Sequence, residues 1–206
     1  MNRVRIRKAV NIFILAAVIV SWLMMTLFGH GTLSENGLGT LRYFTLQSNI
    51  LEGIASAVWL TGIRRDGSAG DMTERFKYIA AASVGLTFAT VMGFLGPLYG
   101  YPAMFTGANL FFHLIVPVAS MAEIILLSEM DYSRRDNFLC MIPPLVYGAV
   151  YLANIGINGI GEWPETNDWY LFLSWGYPTG ILIFAIICLV TWLIGLMMRK
   201  LNRAGH

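Results

Sequence analysis

The apolar residues of this chain fall into six long runs separated by short polar stretches. The runs cover approximately residues 9–29, 43–62, 78–96, 108–127, 138–157 and 174–197. Each is close to the roughly 20 residues that an α-helix needs to cross about 30 Å of hydrocarbon. The pattern therefore predicts an all-α polytopic membrane protein with six transmembrane helices. Because the connections are short, we expect residues 1–206 to form a single helical bundle.

Three of the runs also carry polar residues at positions that share one face of a helix. These faces consist of Thr45, Ser48, Asn49, Glu52 and Ser56 in the second run, Asn109, His113, Ser120 and Glu123 in the fourth, and Tyr147, Tyr151, Asn154 and Asn158 in the fifth. An ionisable side chain at the centre of a bilayer costs about 2.5–3.5 kcal/mol. We therefore expect the polar faces to turn inward, toward one another or toward a hydrated cavity.

Composition agrees with a membrane location. The chain is 56% hydrophobic and 13% charged, with a mean hydropathy of +0.62. A soluble domain carries about 25% charged residues, so an ordinary soluble protein is excluded. The net charge of +2 is accounted for by basic clusters at the ends of the runs and indicates no nucleic-acid partner.

The basic residues predict the orientation, since Lys and Arg are retained on the cytoplasmic side. All but Arg42 fall on one side of the predicted membrane. They are Arg3, Arg5, Arg7 and Lys8 before the first run, Arg64, Arg65, Arg75 and Lys77 after the second, Arg134 and Arg135 after the fourth, and Arg199, Lys200 and Arg203 after the sixth. We expect both termini to be cytoplasmic, in the inner membrane of the cell, with the first helix uncleaved.

Metal and cofactor signatures do not occur in the sequence. The two cysteines, Cys140 and Cys188, have no metal-type spacing and are predicted to be buried packing residues. The chain has no Walker, Rossmann, HExxH or GxSxG motif. We therefore expect neither a metal nor an organic cofactor.

Two of the inward-facing residues form a possible catalytic pair. At a rise of 1.5 Å per residue, Thr45 lies about 3 Å and His113 about 8 Å below the outer start of their helices. A hydroxyl beside a neutral imidazole is the minimal equipment for acyl transfer. Glu52 and Glu123 lie deeper, so neither is a natural first partner for a shallow substrate. Interhelical hydrogen bonding alone is the other interpretation of these polar residues.

The stretches that carry this pair resemble a known family. "YFTLQSN" at the start of the second run, "NLFFHLIVP" at the start of the fourth and the six-helix layout are similar to the androgen-induced protein family, which includes the androgen-dependent TFPI-regulating protein. "LQSN" is similar to its bacterial branch. The resemblance implies an intramembrane threonine hydrolase of fatty acid esters of hydroxy fatty acids. It also implies that Thr45 is the nucleophile and His113 the base, with Asn109 and Pro117 as its context.

The remaining polar residues are given supporting roles as hypotheses. Asn49, or else Gln47 or Ser48, could donate to the developing oxyanion. Glu52 could orient a partner or a water, while Tyr147, Tyr151 and Asn154 of the fifth run, with Glu123, could line the cavity. Substrates and partners are then membrane lipids or fatty acyl esters, and the oligomeric state is left open. The alternatives are a proton-linked transporter that uses Glu52, His113 and Glu123, and a noncatalytic lipid-binding membrane protein.

Overall fold

Six long helices make up most of the protein. The computed structural model describes residues 3–28, 37–64, 68–162 and 166–205, and these ranges contain helices and connections but no strand. The long helices are α1 Arg3–Phe28, α2 Phe44–Gly62, α3 Asp71–Tyr99, α4 Ala108–Leu127, α5 Ile142–Asn158 and α6 Tyr177–Ala204. Shorter helical segments occupy Gly37–Arg42, Tyr101–Met104 and Arg134–Leu139. The prediction of an all-α protein is confirmed for the described ranges.

Within the described ranges, five helical segments are long and apolar enough to cross a membrane. They are Arg3–Leu27, Asp71–Tyr99, Ala108–Leu127, Arg134–Asn158 and Tyr177–Ala204. Multiple helices of this kind are typical of an integral membrane protein. The remaining long helix, α2, corresponds to the second predicted span. Its buried polar face, from Ser48 to Ser56, lowers its hydropathy.

Helix α3 lies in the centre of the bundle. It packs against α2, α4 and α6, while α1 packs against α2 and α4, and α5 lies at the edge against α6. The middle of α3 carries the small residues Ala80, Ala81, Ala82 and Ser83, all of them fully buried. Small side chains let neighbouring helices approach closely, which is the usual way that membrane helices pack.

Two ends of the bundle can be distinguished. Near the beginning of the chain, Arg3 donates to the Leu126 carbonyl (2.7 Å). Near the end of the chain, Arg203 donates to the Asp131 carboxylate (2.5 Å) and to the Tyr132 carbonyl (3.1 Å). Both ends of the described chain therefore lie beside the connection between α4 and α5. We call this the terminal end of the bundle, and the opposite end, where α2 and α4 begin, the distal end.

Gly96 allows the segment that follows α3 to pack closely against the distal part of that helix. A Cβ atom at this position would lie 2.3 Å from the Tyr101 ring and 2.8 Å from the Val91 carbonyl oxygen. Because the backbone oxygen cannot move aside, we expect Gly96→Ala to lower the free energy of unfolding by about 1–3 kcal/mol. Gly93→Ala is the matched control, since nothing lies within 4 Å of a Cβ there. Thermal unfolding of the two variants should separate them, and equal melting temperatures would contradict this packing.

Candidate active site

The beginning of α2 places Thr45 at the wall of a cavity. Tyr43 precedes the helix in an extended conformation, and Thr45 is half-buried in its first turn. The cavity measures about 200 Å³ and lies between α2, α3, α5, α6 and the segment that precedes α6. Most of its wall is apolar, with Thr87, Thr90 and the Tyr170 hydroxyl among the few polar groups. Thr45 therefore lines a largely apolar space.

Asn49 connects α2 to α4 one turn below Thr45. Its Nδ2 donates to the Thr45 carbonyl (2.7 Å) and to the Phe112 carbonyl (3.2 Å), which belongs to the residue preceding His113. A primary amide has two N–H groups, and both are used here. The predicted oxyanion role of Asn49 therefore does not fit this arrangement. The side chain instead holds the backbones of the two candidate catalytic residues together.

His113 lies in a π-helical turn, Phe111–Ile115, within α4. Pro117 explains the turn, because proline has no N–H to offer the His113 carbonyl four residues earlier. The imidazole is buried, with 7% of the residue exposed, and its Nδ1 lies 2.8 Å from the Met104 carbonyl oxygen. Since a carbonyl oxygen only accepts, Nδ1 carries the proton and Nε2 holds the free lone pair in the neutral ring. In the ranges described, no hydrogen bond joins Thr45 to His113.

The other two candidate oxyanion donors are also engaged. The Ser48 hydroxyl lies 3.0 Å from both the Thr45 carbonyl oxygen and the Thr87 hydroxyl. Gln47 is exposed and donates to the Leu41 carbonyl (2.8 Å). Ser48 therefore supports the first turn of α2, and Gln47 lies on the outer wall of the groove described next. Asn109 is buried in the first turn of α4, one turn before His113.

A larger groove runs beside the cavity, between α2 and α5. Its volume is about 630 Å³, and most of its lining is apolar. Its lining residues are Arg42, Phe44, Gln47, Ser48, Leu51, Pro143, Val146, Tyr147, Val150, Tyr151, Asn154 and Trp169. Three of these, Phe44, Tyr147 and Trp169, also line the Thr45 cavity. The two spaces therefore adjoin at these three residues, which form an aromatic wall next to Thr45.

The segment before α6 holds this wall in position. Asp168 is 2% exposed; its carboxylate accepts the Tyr151 hydroxyl and the backbone N–H groups of Phe172 and Leu173, both at 2.9 Å. Trp169 Nε1 donates to the Tyr147 hydroxyl (3.0 Å). Tyr147, Tyr151 and Asn154 are among the residues that line the groove. Sequence reasoning missed Asp168 in this role, because two of its three partners here are backbone N–H groups.

Tyr170 brings a hydroxyl to the start of α2. Its phenol oxygen accepts the Phe44 N–H at 2.9 Å, and it lines the same cavity as Thr45. Loss of hydration raises the pKa of Tyr170 to about 12, so the phenol keeps its proton near neutral pH and can donate it in a hydrogen bond. Sequence reasoning missed Tyr170, since it lies 125 positions beyond Thr45 in the chain.

The two glutamates of the polar faces belong to a buried charge cluster, which we define as Arg7, Glu52, Glu74, Lys77 and Glu123. Lys77 donates to Glu52 Oε1 and lies 3.1 Å from Glu123 Oε2. Arg7 Nε donates to Glu123 (2.5 Å), and its other nitrogens donate to both oxygens of Glu74 (2.6 and 2.7 Å). No residue of the cluster is more than 6% exposed.

This cluster corrects several predictions. Glu52 and Glu123 line neither the Thr45 cavity nor the groove, because Lys77 and Arg7 bind them in the interior. Arg7 and Lys77 were predicted to flank the membrane spans, but both lie within helices and are buried. α3 begins at Asp71, which carries Lys77 into the bundle. The burial of Arg7 and Lys77 could have been anticipated from the sequence, because two buried acids require cations nearby.

Known proteins offer no further assignment. Comparison of the chain with protein-family profiles, with curated proteins and with solved structures finds no match. Among the described residues, no three His, Cys, Asp or Glu side chains are grouped so that they could hold a metal ion. Cys140 and Cys188 are both free and buried.

Proposed function

We propose that this protein is an intramembrane hydrolase of lipid acyl esters, with Thr45 as the nucleophile and His113 as the base. The observation that carries the proposal is the orientation of the imidazole. Its Nδ1 is held by the Met104 carbonyl, which leaves Nε2 as the proton acceptor that a general base needs. Asn49 donates to the backbone carbonyls of Thr45 and of Phe112, the residue before His113, so the two backbones are linked. His113 is not among the residues that line the Thr45 cavity.

The reaction follows from these two groups. Thr45 Oγ1 forms a bond to the ester carbonyl carbon as its proton passes to His113 Nε2. The bond between the carbonyl carbon and the alcohol oxygen then breaks, and the imidazole returns the proton to that oxygen. Water attacks the acyl-threonine with His113 again as base, which releases the fatty acid and restores the hydroxyl.

The start of α2 can stabilise the oxyanion. A helix N-terminus carries a partial positive charge, and Thr45 lies in the first turn of α2. The Tyr170 phenol, protonated near neutral pH, is one of the side-chain donors that line the same cavity. Donors fixed before the reaction are what an oxyanion site requires. We therefore assign to Tyr170 the role first considered for Asn49.

The apolar spaces support a substrate with hydrocarbon chains on both sides of the ester. The 200 Å³ cavity and the 630 Å³ groove meet at the aromatic wall of Phe44, Tyr147 and Trp169. One chain in each space brings the ester to Thr45. The resemblance to the androgen-induced protein family implies fatty acid esters of hydroxy fatty acids, which have this form, and we propose that class as the substrate.

The same proposal includes the membrane arrangement. We propose six transmembrane helices, which are the five segments above together with α2, whose polar face is buried. We also propose that both termini lie in the cytoplasm. The two described ends of the chain lie at one end of the bundle, as an even number of crossings requires. The basic residues collected at that end support a cytoplasmic orientation in the cell's inner membrane.

Covalent labelling tests the nucleophile. An alkyl fluorophosphonate should label the purified protein, and Thr45→Ala should abolish labelling while the melting temperature stays close to that of the wild type. Ser48→Ala is the matched control, because its hydroxyl lies one turn away and faces Thr87. Full labelling of a folded Thr45→Ala variant would reject Thr45, and loss of labelling in Ser48→Ala alone would assign the reaction to Ser48.

The proton-linked transporter has less support. Such a relay would use Glu52, His113 and Glu123, but both glutamates are bound by the cations of the charge cluster. Within the described ranges, the imidazole's partner is a backbone carbonyl. Proteoliposomes tested for acidification should therefore show none that depends on Glu52.

A further inference from the structure

The charge cluster contains three carboxylates but only two cations. Arg7 and Lys77 face Glu52, Glu74 and Glu123, and each of these residues is at most 6% exposed. With all five ionised, 2 positive and 3 negative charges leave a net charge of −1 in the interior. An uncompensated buried charge is costly, and a buried group commonly changes its protonation state to avoid it. A single proton would make the cluster neutral.

Glu74 has enough hydrogen-bond donors around it to be stable as an anion. Its two oxygens accept Arg7 at 2.6 and 2.7 Å, and Trp59 Nε1 at 3.0 Å. The Ser128 hydroxyl (3.1 Å) and the Tyr132 hydroxyl (3.4 Å) complete its environment. A carboxylate that accepts this many donors is stabilised in its charged form, so the extra proton does not belong to Glu74.

Glu123 also has neighbouring cations that stabilise it as an anion. Arg7 Nε donates to its Oε1 at 2.5 Å, and Lys77 Nζ lies 3.1 Å from its Oε2. This contact is not counted among the hydrogen bonds, but the charge attraction at 3.1 Å is direct. Two cations, from α1 and from α3, therefore face this one carboxylate.

Glu52 differs from both. Its Oε1 accepts Lys77, which also donates to Ser56 (3.0 Å) on the same helix as Glu52. Among the described residues, Glu52 Oε2 is buried without a hydrogen-bond partner, and the same holds for the Ser120 hydroxyl oxygen. Ser120 is on α4 and lies beside the Glu52 carboxyl group. The charged or titratable groups around Glu52 are Lys77 from α3 and Glu123 from α4, with Arg7 of α1 behind Glu123.

We propose that Glu52 is a proton-binding site and holds one proton on Oε2 in the folded protein. The protonated oxygen lies beside Ser120 Oγ and can donate to it. Lys77 keeps its hydrogen bond to the carbonyl oxygen of the neutral acid and its charge interaction with Glu123. The cluster then contains two cations and two anions. This inference is independent of the proposed hydrolysis.

Infrared spectroscopy of the purified full-length protein at neutral pH tests the proposal. We expect the C=O stretching band of a protonated carboxylic acid, with a shift in D₂O, and Glu52→Gln should remove it. Ser120→Ala should keep the band and raise its frequency, because the acid loses its hydrogen-bond acceptor. Glu129→Gln is the matched control, since its side chain is 76% exposed, and it should leave the band unchanged.

Thermal unfolding gives a second, independent result. Gln is close in shape to a protonated Glu, so Glu52→Gln should change the melting temperature by no more than about 2–4 °C. Glu123→Gln removes an anion that binds two cations and should lower the melting temperature several times more. The proposal is wrong if the wild type has no protonated-carboxyl band, if the band survives in Glu52→Gln, or if the two variants are equally destabilised.

Discussion

Lys77→Met is expected to lower the free energy of unfolding by about 3–5 kcal/mol, the usual cost of removing one partner of a buried ion pair. The Lys77 side chain is fully buried in the interior, where it donates to Glu52 and Ser56 and lies 3.1 Å from Glu123 Oε2. Methionine keeps most of the apolar part of the side chain, so the loss of unfolding free energy measures the contribution of the ammonium group. Chemical and thermal unfolding of the purified protein in one detergent would measure it.

A surface pair provides the control for this prediction. Arg203 pairs with Asp131 at 2.5 Å, but their side chains are 50% and 76% exposed. Water screens such a pair, so Arg203→Met should change the free energy of unfolding by less than about 1 kcal/mol. If Lys77→Met is no more destabilising than Arg203→Met, the charge cluster does not stabilise the bundle as described.

His113→Gln is expected to reduce ester hydrolysis by about 10²–10⁴-fold, the usual contribution of a general base. Glutamine can still donate to the Met104 carbonyl, which His113 Nδ1 contacts at 2.8 Å, so the fold should be kept. It cannot take a proton from the Thr45 hydroxyl near neutral pH. Initial rates with a long-chain ester in detergent or nanodiscs would measure the loss.

The pH profile separates a base from a packing residue. Only the neutral imidazole accepts a proton, so the wild-type rate should fall toward acid pH as His113 becomes protonated. In His113→Gln the residual rate should lose that dependence, while the melting temperature stays close to that of the wild type. A folded variant with the full rate and the same pH profile would exclude His113 as the base.

Much of the fold could be predicted because hydrophobic runs report directly on membrane helices. The six runs correspond to α1–α6, although α1 and α3 begin several residues earlier than predicted, at Arg3 and Asp71. These boundary errors had a common cause. Charged residues at the start of a helix resemble a loop by composition, and only the packed bundle reveals that Arg7 and Lys77 face inward to buried acids.

The candidate site was partly predictable. Helical spacing placed Thr45, Asn49 and Glu52 on one face of α2, and the latter two are fully buried. The same spacing could not determine which partner each residue meets. Asn49 reaches the Phe112 carbonyl, and a backbone partner on another helix has no signature in the sequence.

By itself, the sequence determined that the chain is helical and apolar and that polar faces of α2, α4 and α5 must avoid lipid, because burial of unpaired polar groups in hydrocarbon is too costly. Only the tertiary structure decided how those groups are paired. It separated Glu52 and Glu123, bound within the charge cluster, from Thr45 at its cavity, and it brought in Met104 and Tyr170. Such contacts depend on the packing of helices that are distant in sequence, and periodicity within a single helix does not specify that packing.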